Sequence, residues 1–429
     1  MDLVPSSTLW SIAQELALYL AFTVPTAFVI ITTPKSSFLR LAWTPCLLYI
    51  LYRFSLQVPS LTTSQFLNGV AAGQATVAAL QCLNLLLITK LDERELVHAG
   101  LCIPSSSLLV RVACAWALLV NFRGIGTVWE VKNVPQHAAY LQKPKQHRLS
   151  RRRYVLRESA IIIWQYLLLD LIHMSTKDTP PGDLARLFGP GLEYRYLDAT
   201  AEQWFGRVSV GIFSWLVPSR VCLNIVSRIY CLVLVVLRIS APESCRPSFG
   251  RVRDACTIRG FWGKFWHQSF RWPLTSVGSF VARDVLRLPR PSLLERYTNI
   301  FFTFFTSAVL HLACDAILGI PPSGSGAMPF FCVVPLAIMF EDGVQEVWRR
   351  VTGPSQGAVP FWQRLVGFLW VGSWMCATSP WYLYPAARQP PERTWMVPVS
   401  VVGEIGLRVA QKVLLVYGVV LYWAIGGEI

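Results

Sequence analysis

The sequence has few charged residues for its length. Of its 429 residues, 15% are Asp, Glu, Lys or Arg and 53% are hydrophobic, whereas a soluble domain carries about 25% charged residues. This shortage of charge excludes an ordinary soluble protein. It predicts an all-α fold, a polytopic transmembrane helical bundle, and we expect residues 1–429 to form a single domain.

Metal motifs and internal repeats are also absent. The 11 cysteines form no Cys-x-x-Cys pair, and none has a histidine at zinc-finger spacing. We therefore predict no metal site and interpret the cysteines of the apolar segments as small hydrophobic residues. Transporters often contain inverted repeats with matching interrupted helices, and no second half of this sequence mirrors the segment from Tyr297 to Gly319.

Ten apolar segments approach the roughly 20 residues that a helix needs to cross the hydrocarbon core. The first has no basic region before it and is too long for a signal peptide, so we expect a retained span. The whole set predicts eight to ten crossings. The segments are Leu9–Thr32, Leu41–Val58, Phe66–Ile88, Leu108–Phe122, Tyr154–Met174, Val208–Ile239, Tyr297–Ile320, Phe330–Val347, Phe361–Tyr382 and Val401–Ala424.

Two of these segments do not fit a simple crossing. Leu108–Phe122 is short and contains Arg111, which favours an interfacial or re-entrant piece. Val208–Ile239 is long and is interrupted at Pro218-Ser219-Arg220, so we expect a kinked or partly re-entrant region there.

The net charge of +15 raises the question of a nucleic-acid partner. The basic residues lie in loops between apolar segments, where positive charge marks the cytosolic side and favours anionic lipid. We therefore expect no nucleic-acid binding. Residues 143–153 and 245–296 are strongly basic and are predicted to be cytosolic, whereas residues 176–203 lean acidic and are predicted to be lumenal.

His311 lies in an apolar segment with almost no charge. Between Tyr297 and Phe340 the only carboxylate belongs to Asp315. An ionisable side chain inside a membrane is costly and usually faces a bundle interior or an aqueous cavity. A neutral imidazole accepts a proton, which is the task of a general base when a hydroxyl attacks a thioester. We predict that His311 is this base.

The neighbours of His311 at helical spacing are polar. Ser307 and Asp315 lie one turn either side of it on the same helix face, and Asp315 is predicted to orient the imidazole. Three alternatives remain open. In the first, His311 serves only an interhelical hydrogen bond. In the second, His311 and Asp315 relay protons in a transporter, and in the third, Asp315 and Glu341 are the acids of a terpene cyclase.

A second histidine, His267, ends an aromatic and basic run. A histidine beside tryptophans at a membrane interface is often only an anchor. Here Trp262 and Trp266 are one helical turn apart, and Gly263 leaves room for the close approach of a ligand. Nearby cations are suited to the phosphates of a coenzyme. These cations are Arg259, Lys264 and Arg271.

Residues 259–268, Arg-Gly-Phe-Trp-Gly-Lys-Phe-Trp-His-Gln, resemble the Phe-Trp-Gly-x-x-Trp-His-Gln signature of the wax synthase-like branch of the membrane-bound O-acyltransferase superfamily. In that superfamily a polar residue on the cytosolic side is followed some forty residues later by a histidine in an apolar helix. His267 and His311 match that order. Other segments that resemble fungal members are residues 123–133, 340–343 and 367–381, so that the resemblance covers about 120–385 and leaves 1–100 as variable spans.

The resemblance implies an acyl-CoA-dependent O-acyltransferase of the endoplasmic reticulum membrane. Acyl-CoA, and specifically acetyl-CoA, would be a co-substrate rather than a permanently bound cofactor, and it would meet a hydrophobic alcohol in a central chamber within the membrane. His311 would be the catalytic base, His267 its polar partner, and Trp262 and Trp266 the lining of the donor tunnel. Acetylation of a terpenoid or polyketide-derived secondary metabolite is favoured, with long-chain wax ester synthesis as the alternative.

Two residues depart from the family signature. Gly260 stands where an acidic residue is common, and Phe265 stands where arginine is common. Both changes affect how phosphates would be held, so they leave the identity of the acyl donor open. The spacing of His311 and Asp315 also matches the His-x-x-x-Asp pattern of soluble acyltransferases, but those are large α/β proteins, and we interpret this match as a coincidence.

Overall fold

All regular structure in the described part of the chain is helical, which confirms the all-α prediction. The computed structural model describes residues 6–62, 64–136, 150–353, 359–389 and 395–425. The backbone forms two compact units, and each is described by itself. Unit 1 contains the chain up to Lys132 together with Ser269–Ser355, and unit 2 contains Asn133–Gln268 together with the chain from Gln356.

The described residues form sixteen α-helical segments. In chain order they are α1 (Ser6–Thr32), α2 (Phe38–Gln57), α3 (Gln65–Leu83), α4 (Glu93–His98), α5 (Leu108–Leu119), α6 (Arg151–Thr176), α7 (Pro181–Phe188), α8 (Ala201–Val208), α9 (Arg220–Val236), α10 (Ile258–Gly260), α11 (Arg271–Phe280), α12 (Leu293–Ile317), α13 (Ala327–Thr352), α14 (Phe361–Ala387), α15 (Val401–Ile405) and α16 (Leu407–Ile425). Unit 1 holds α1 to α5 and α11 to α13, and unit 2 holds the others.

Six helices of the described residues are long and apolar enough to cross a membrane, so the chain is a multi-pass membrane protein. The other four predicted spans correspond to α2, α5, α6 and α14 and fall outside this set. The count of eight to ten crossings stays a prediction. The six are Trp10–Thr32, Gln65–Ile88, Ala201–Val236, Leu293–Ile317, Ala327–Thr352 and Leu407–Ala424.

The two irregular spans differ from the other predicted spans in their helical structure. Helix α5 has 12 residues, which is about 18 Å of helix and too short for the roughly 30 Å hydrocarbon core. Helix α8 continues into α9 through two π-helical segments, Ser209–Phe213 and Trp215–Ser219. The interruption predicted at Pro218 is therefore a pair of π-turns inside one long helix. Of the basic segment 143–153, residues 143–149 lie outside the described residues.

In unit 1, α12 packs against α3, α11 and α13. The start of α12 is capped by Ser292, whose hydroxyl accepts a hydrogen bond from the backbone N–H of Glu295 at 3.1 Å. Its end is set by Gly319, which adopts φ +81°, and by the N–H of Ile320, which donates to the carbonyl of Asp315 at 2.9 Å. This is the usual glycine-terminated helix end.

In unit 2, α6 packs against α9, α15 and α16, and α14 packs against residues 209–213. Gly211 makes the second contact very close. A Cβ atom at Gly211 would lie 2.6 Å from the Cα of Cys376, so only glycine allows the two backbones to approach this far. The contact fixes the long helix against α14 one turn before Trp215.

Candidate active site

His311 lies in the second half of α12, in unit 1. Its Nδ1 atom is 2.7 Å from the backbone carbonyl oxygen of Ser307. A carbonyl oxygen only accepts hydrogen bonds, so Nδ1 carries the proton, and the lone pair of the neutral ring is on Nε2. The hydroxyl of Ser307 is 3.5 Å from Nδ1, which is long for a hydrogen bond. The geometry therefore selects the tautomer in which Nε2 can accept a proton.

The imidazole of His311 also packs against Phe331 of α13. The two rings are stacked, with centroids 4.3 Å apart and planes inclined by 30°, and Phe331 itself is buried. A ring held at one edge by a carbonyl and on one face by a phenyl group has little rotational freedom. The side chain of His311 is thus held between the backbone of its own helix and a buried ring.

Asp315 has a different partner from the one that its spacing predicts. Its carboxylate accepts a hydrogen bond from the hydroxyl of Ser325 at 2.6 Å, and the oxygen of Ser325 accepts from the backbone N–H of Ala327 at 3.2 Å. Asp315 therefore ties the end of α12 to the start of α13. The Nδ1 atom of His311 contacts Ser307, so the orienting role of Asp315 stays a prediction.

The tryptophan–histidine motif lies in unit 2. Helix α10 is capped by Thr257, whose hydroxyl accepts from the N–H of Gly260 at 2.8 Å, and the chain then forms a π-helical turn over Phe261–Phe265. Trp266 leaves the helix in an extended conformation, with φ −65° and ψ 154°. The ring centroids of Trp262 and Trp266 are 6.2 Å apart. π-turns are rare and are frequent at functional sites.

Buried neighbours hold the motif together. Phe261 stacks on Trp266 at 5.7 Å with an interplanar angle of 10°. The side-chain amide of Gln268, which is buried, donates to the carbonyl oxygens of Trp266 at 2.5 Å and Trp262 at 3.3 Å. Carbonyl groups at a helix end have no partner within the helix. The amide of Gln268 supplies hydrogen bonds to two of them, so Gln268 stabilises the turn at the end of the signature.

Gly260, the first departure from the family signature, has no room for a side chain. A Cβ atom there would lie 2.2 Å from the carbonyl oxygen of Asp254 and 2.7 Å from the hydroxyl of Thr257. Gly263 is different, since no atom lies within 4 Å of the position of its Cβ. The position beside Gly263 is therefore open, and the close approach of a ligand there stays a prediction.

His267 is partly buried beside the same aromatic group. Its ring centroid lies 5.5 Å from that of Trp266 and 6.0 Å from that of Phe249. His267 belongs to unit 2 and His311 to unit 1, so the predicted pair of histidines is divided between the two units.

The predicted phosphate-binding cations are divided in the same way. Lys264 is exposed and Arg259 is partly buried, and both belong to unit 2. Arg271 is the first residue of α11 in unit 1. Burial lowers the pKa of the Arg271 guanidinium, although an arginine stays charged at neutral pH. The described residues contain no group of three His, Cys, Asp or Glu side chains arranged to hold a metal ion.

Comparison with known proteins gives the family. Residues 245–333, which include both histidines, match the model of the membrane bound O-acyl transferase family. Acetyltransferase TRI7 of Fusarium sporotrichioides is 43% identical over 356 residues, covering 82% of this chain and 81% of the relative. The chain belongs to the membrane-bound O-acyltransferase family.

Two further relatives of this O-acyltransferase align over most of its length. Acetyltransferase atnC of an Arthrinium species is 38% identical over 93% of this chain and 94% of its own. Acetyltransferase spyB of Aspergillus fumigatus is 35% identical over 98% of this chain and 72% of its own. No solved structure matches the chain.

As a membrane-bound O-acyltransferase, the protein uses acyl-CoA as the donor and an alcohol as the acceptor. The family resemblance read from the residues 259–268 is thereby confirmed.

Sequence analysis missed the residues that surround the motif of the O-acyltransferase. Trp215 packs edge-on against Trp266, with ring centroids 4.8 Å apart. The guanidinium of Arg220 lies 5.6 Å from the ring centre of Phe249 and 5.7 Å from that of Phe265, within the range of a cation–π interaction. The interruption at Pro218 pointed to this region, but it did not show which distant residues the region contacts.

Proposed function

We propose that this O-acyltransferase transfers an acetyl group from acetyl-CoA to a hydroxyl of a terpenoid or polyketide-derived secondary metabolite. The observation that carries the proposal is that three relatives, each named an acetyltransferase, align with 82%, 93% and 98% of the chain. We further propose that the chain acts as one catalytic domain in the membrane of the endoplasmic reticulum. A hydrophobic alcohol dissolved in the bilayer would be the acceptor.

In the proposed reaction, Nε2 of His311 takes the proton of the acceptor hydroxyl while the hydroxyl oxygen attacks the thioester carbonyl. The tetrahedral intermediate collapses, the C–S bond breaks, and the proton passes to the leaving thiolate of coenzyme A. The contact between Nδ1 and the carbonyl of Ser307 supports this role, because it leaves the lone pair on Nε2. His267 would be the second polar group near the thioester.

We propose that Trp262 and Trp266 line the tunnel for the acyl donor. The open space beside Gly263 supports this assignment. The phosphates of the donor would be bound by three basic side chains. Arg259 and Lys264 lie within the signature, and Arg271 follows it. For Asp315 we propose a positioning role through Ser325 and α13.

The test uses microsomes that contain the full chain, acetyl-CoA labelled in its acetyl group, and a panel of hydroxylated terpenoids and polyketide-derived alcohols. We expect labelled esters and a matching release of free coenzyme A thiol. Palmitoyl-CoA with a long-chain alcohol is the parallel reaction. Ester formation from palmitoyl-CoA alone would replace the proposal by wax ester synthesis, and proton-coupled uptake without any ester would replace it by transport.

A further inference from the structure

Trp215 is a buried tryptophan that touches both tryptophans of the signature. It lies at the start of the second π-helical segment of the long helix, 6% exposed. Its ring meets that of Trp262 at 5.7 Å and 84°, and that of Trp266 at 4.8 Å and 75°. Both are edge-to-face contacts, the geometry that aromatic pairs prefer. The three indoles form one cluster within unit 2.

The other side of Trp215 is fixed to α14. Its indole N–H donates to the hydroxyl of Ser379 at 2.9 Å, and Ser379 is completely buried. One turn earlier, Gly211 brings the backbone of the long helix into direct contact with Cys376. The indole of Trp215 therefore cannot retreat towards α14 when a ligand presses on Trp262 or Trp266.

The exposures of the three indoles give the cluster an outer and an inner end. Trp262 keeps exposed surface, whereas Trp266 is 5% exposed and Trp215 is 6% exposed. Trp215 and Trp266 are therefore the inner members of the cluster and Trp262 is the outer one. Of these two, Trp215 is the one held from behind by a buried hydrogen bond.

We propose that Trp215 limits the length of the acyl chain that the enzyme accepts, by closing the inner end of this tryptophan cluster. The inference depends on the proposed function, since it takes the signature tryptophans as the lining of the donor tunnel. On this proposal, the indole of Trp215 admits an acetyl group and blocks a longer acyl chain.

The experiment compares the wild-type chain with Trp215→Ala and Trp215→Phe in microsomes, using acetyl-CoA, butyryl-CoA and hexanoyl-CoA with one acceptor. The measured quantity is the ratio of kcat/KM for butyryl-CoA to kcat/KM for acetyl-CoA. One methylene in an apolar pocket changes discrimination by about 10-fold or more. We therefore expect Trp215→Ala to raise the ratio at least about tenfold and Trp215→Phe to raise it by less.

Trp381→Ala is the matched control. Trp381 is also in unit 2, and its indole N–H donates to the hydroxyl of Tyr196 at 2.8 Å, but its ring pairs with Tyr194 and not with the signature. This variant also removes an indole and its hydrogen bond, and it should leave the donor ratio unchanged.

An unchanged ratio in an active Trp215→Ala enzyme would overturn the inference. If that variant does not fold, an unchanged ratio in Trp215→Phe would overturn it equally. A wild-type chain that forms no ester with any of the three donors would contradict the proposed function instead, so the two failures are distinguishable.

Discussion

His311 is held by a backbone group of its own helix, the carbonyl of Ser307. The Nδ1 atom of the imidazole lies 2.7 Å from the carbonyl oxygen one helical turn earlier. A backbone carbonyl is present whatever residue occupies position 307, so this means of fixing the tautomer does not depend on the side chain there.

Replacement of Ser307 by alanine should therefore leave catalysis nearly intact. The carbonyl that accepts from Nδ1 remains, and the lost hydroxyl was 3.5 Å from the ring. We expect kcat to stay within about threefold of the wild-type value, because the lost contact is worth less than the usual 0.5–1.5 kcal/mol of a hydrogen bond. A fall of a hundredfold, measured as ester formation per mole of folded enzyme, would mean that the hydroxyl sets the tautomer.

Asp315 and Ser325 should behave as a pair. Removal of either side chain by alanine leaves its partner without this hydrogen bond, which typically costs about 1–3 kcal/mol of stability. The Asp315→Ala, Ser325→Ala double variant should then be little worse than either single variant. Thermal unfolding in detergent and kcat measured on all four proteins test this coupling.

The same four proteins distinguish the two roles of Asp315. If Asp315 acts through Ser325 and α13, both single variants lower kcat by similar factors. A much larger loss of kcat in Asp315→Ala than in Ser325→Ala would show instead that the carboxylate acts directly on the imidazole.

Restoring the acidic residue that is common in the family at position 260 should destabilise this protein. The Cβ of Gly260→Asp would meet the carbonyl oxygen of Asp254 at 2.2 Å, and overpacking of this kind costs about 1–3 kcal/mol. We expect a lower unfolding temperature and less folded protein. A variant as stable as the wild type, with unchanged KM for acetyl-CoA, would contradict this prediction. It would show that the backbone between Asp254 and Gly260 can shift to accept a side chain at little cost.

Gly263→Ala should have the opposite profile. No atom lies within 4 Å of the new methyl group, and alanine suits helical backbone better than glycine does, so folding should be unimpaired. If the donor passes through this space, the methyl group narrows it, and KM for acetyl-CoA should rise several-fold with little change in KM for the acceptor. An unchanged KM for acetyl-CoA would place the donor elsewhere.

Features that depend on local sequence were predictable. The apolar composition around His311 indicated a helix that spans the membrane, and the signature from Arg259 to Gln268 indicated the family. The helical spacing of His311 and Asp315 was also read correctly, but it did not give their partners. A helix face offers several acceptors at once, and Ser325, which binds Asp315, lies beyond the end of the helix.

Long-range contacts could not be predicted from local patterns. Trp215 precedes the signature by more than 40 residues, and its contacts with Trp262 and Trp266 exist only because π-turns and the packing of Gly211 on α14 place it there. The crowding at Gly260 likewise depends on how the chain before it folds back. One sequence shows that glycine occupies the position, but only the fold shows that nothing larger fits.

The most direct test of the account is ester formation by His311→Ala and His311→Gln, each compared with the wild-type chain at equal amounts of folded protein. General-base catalysis contributes about 10²- to 10⁴-fold, so both variants should lose at least a hundredfold in kcat while they still bind acetyl-CoA. A stable His311→Ala protein that forms ester at the full rate would contradict the role of His311 as the catalytic base.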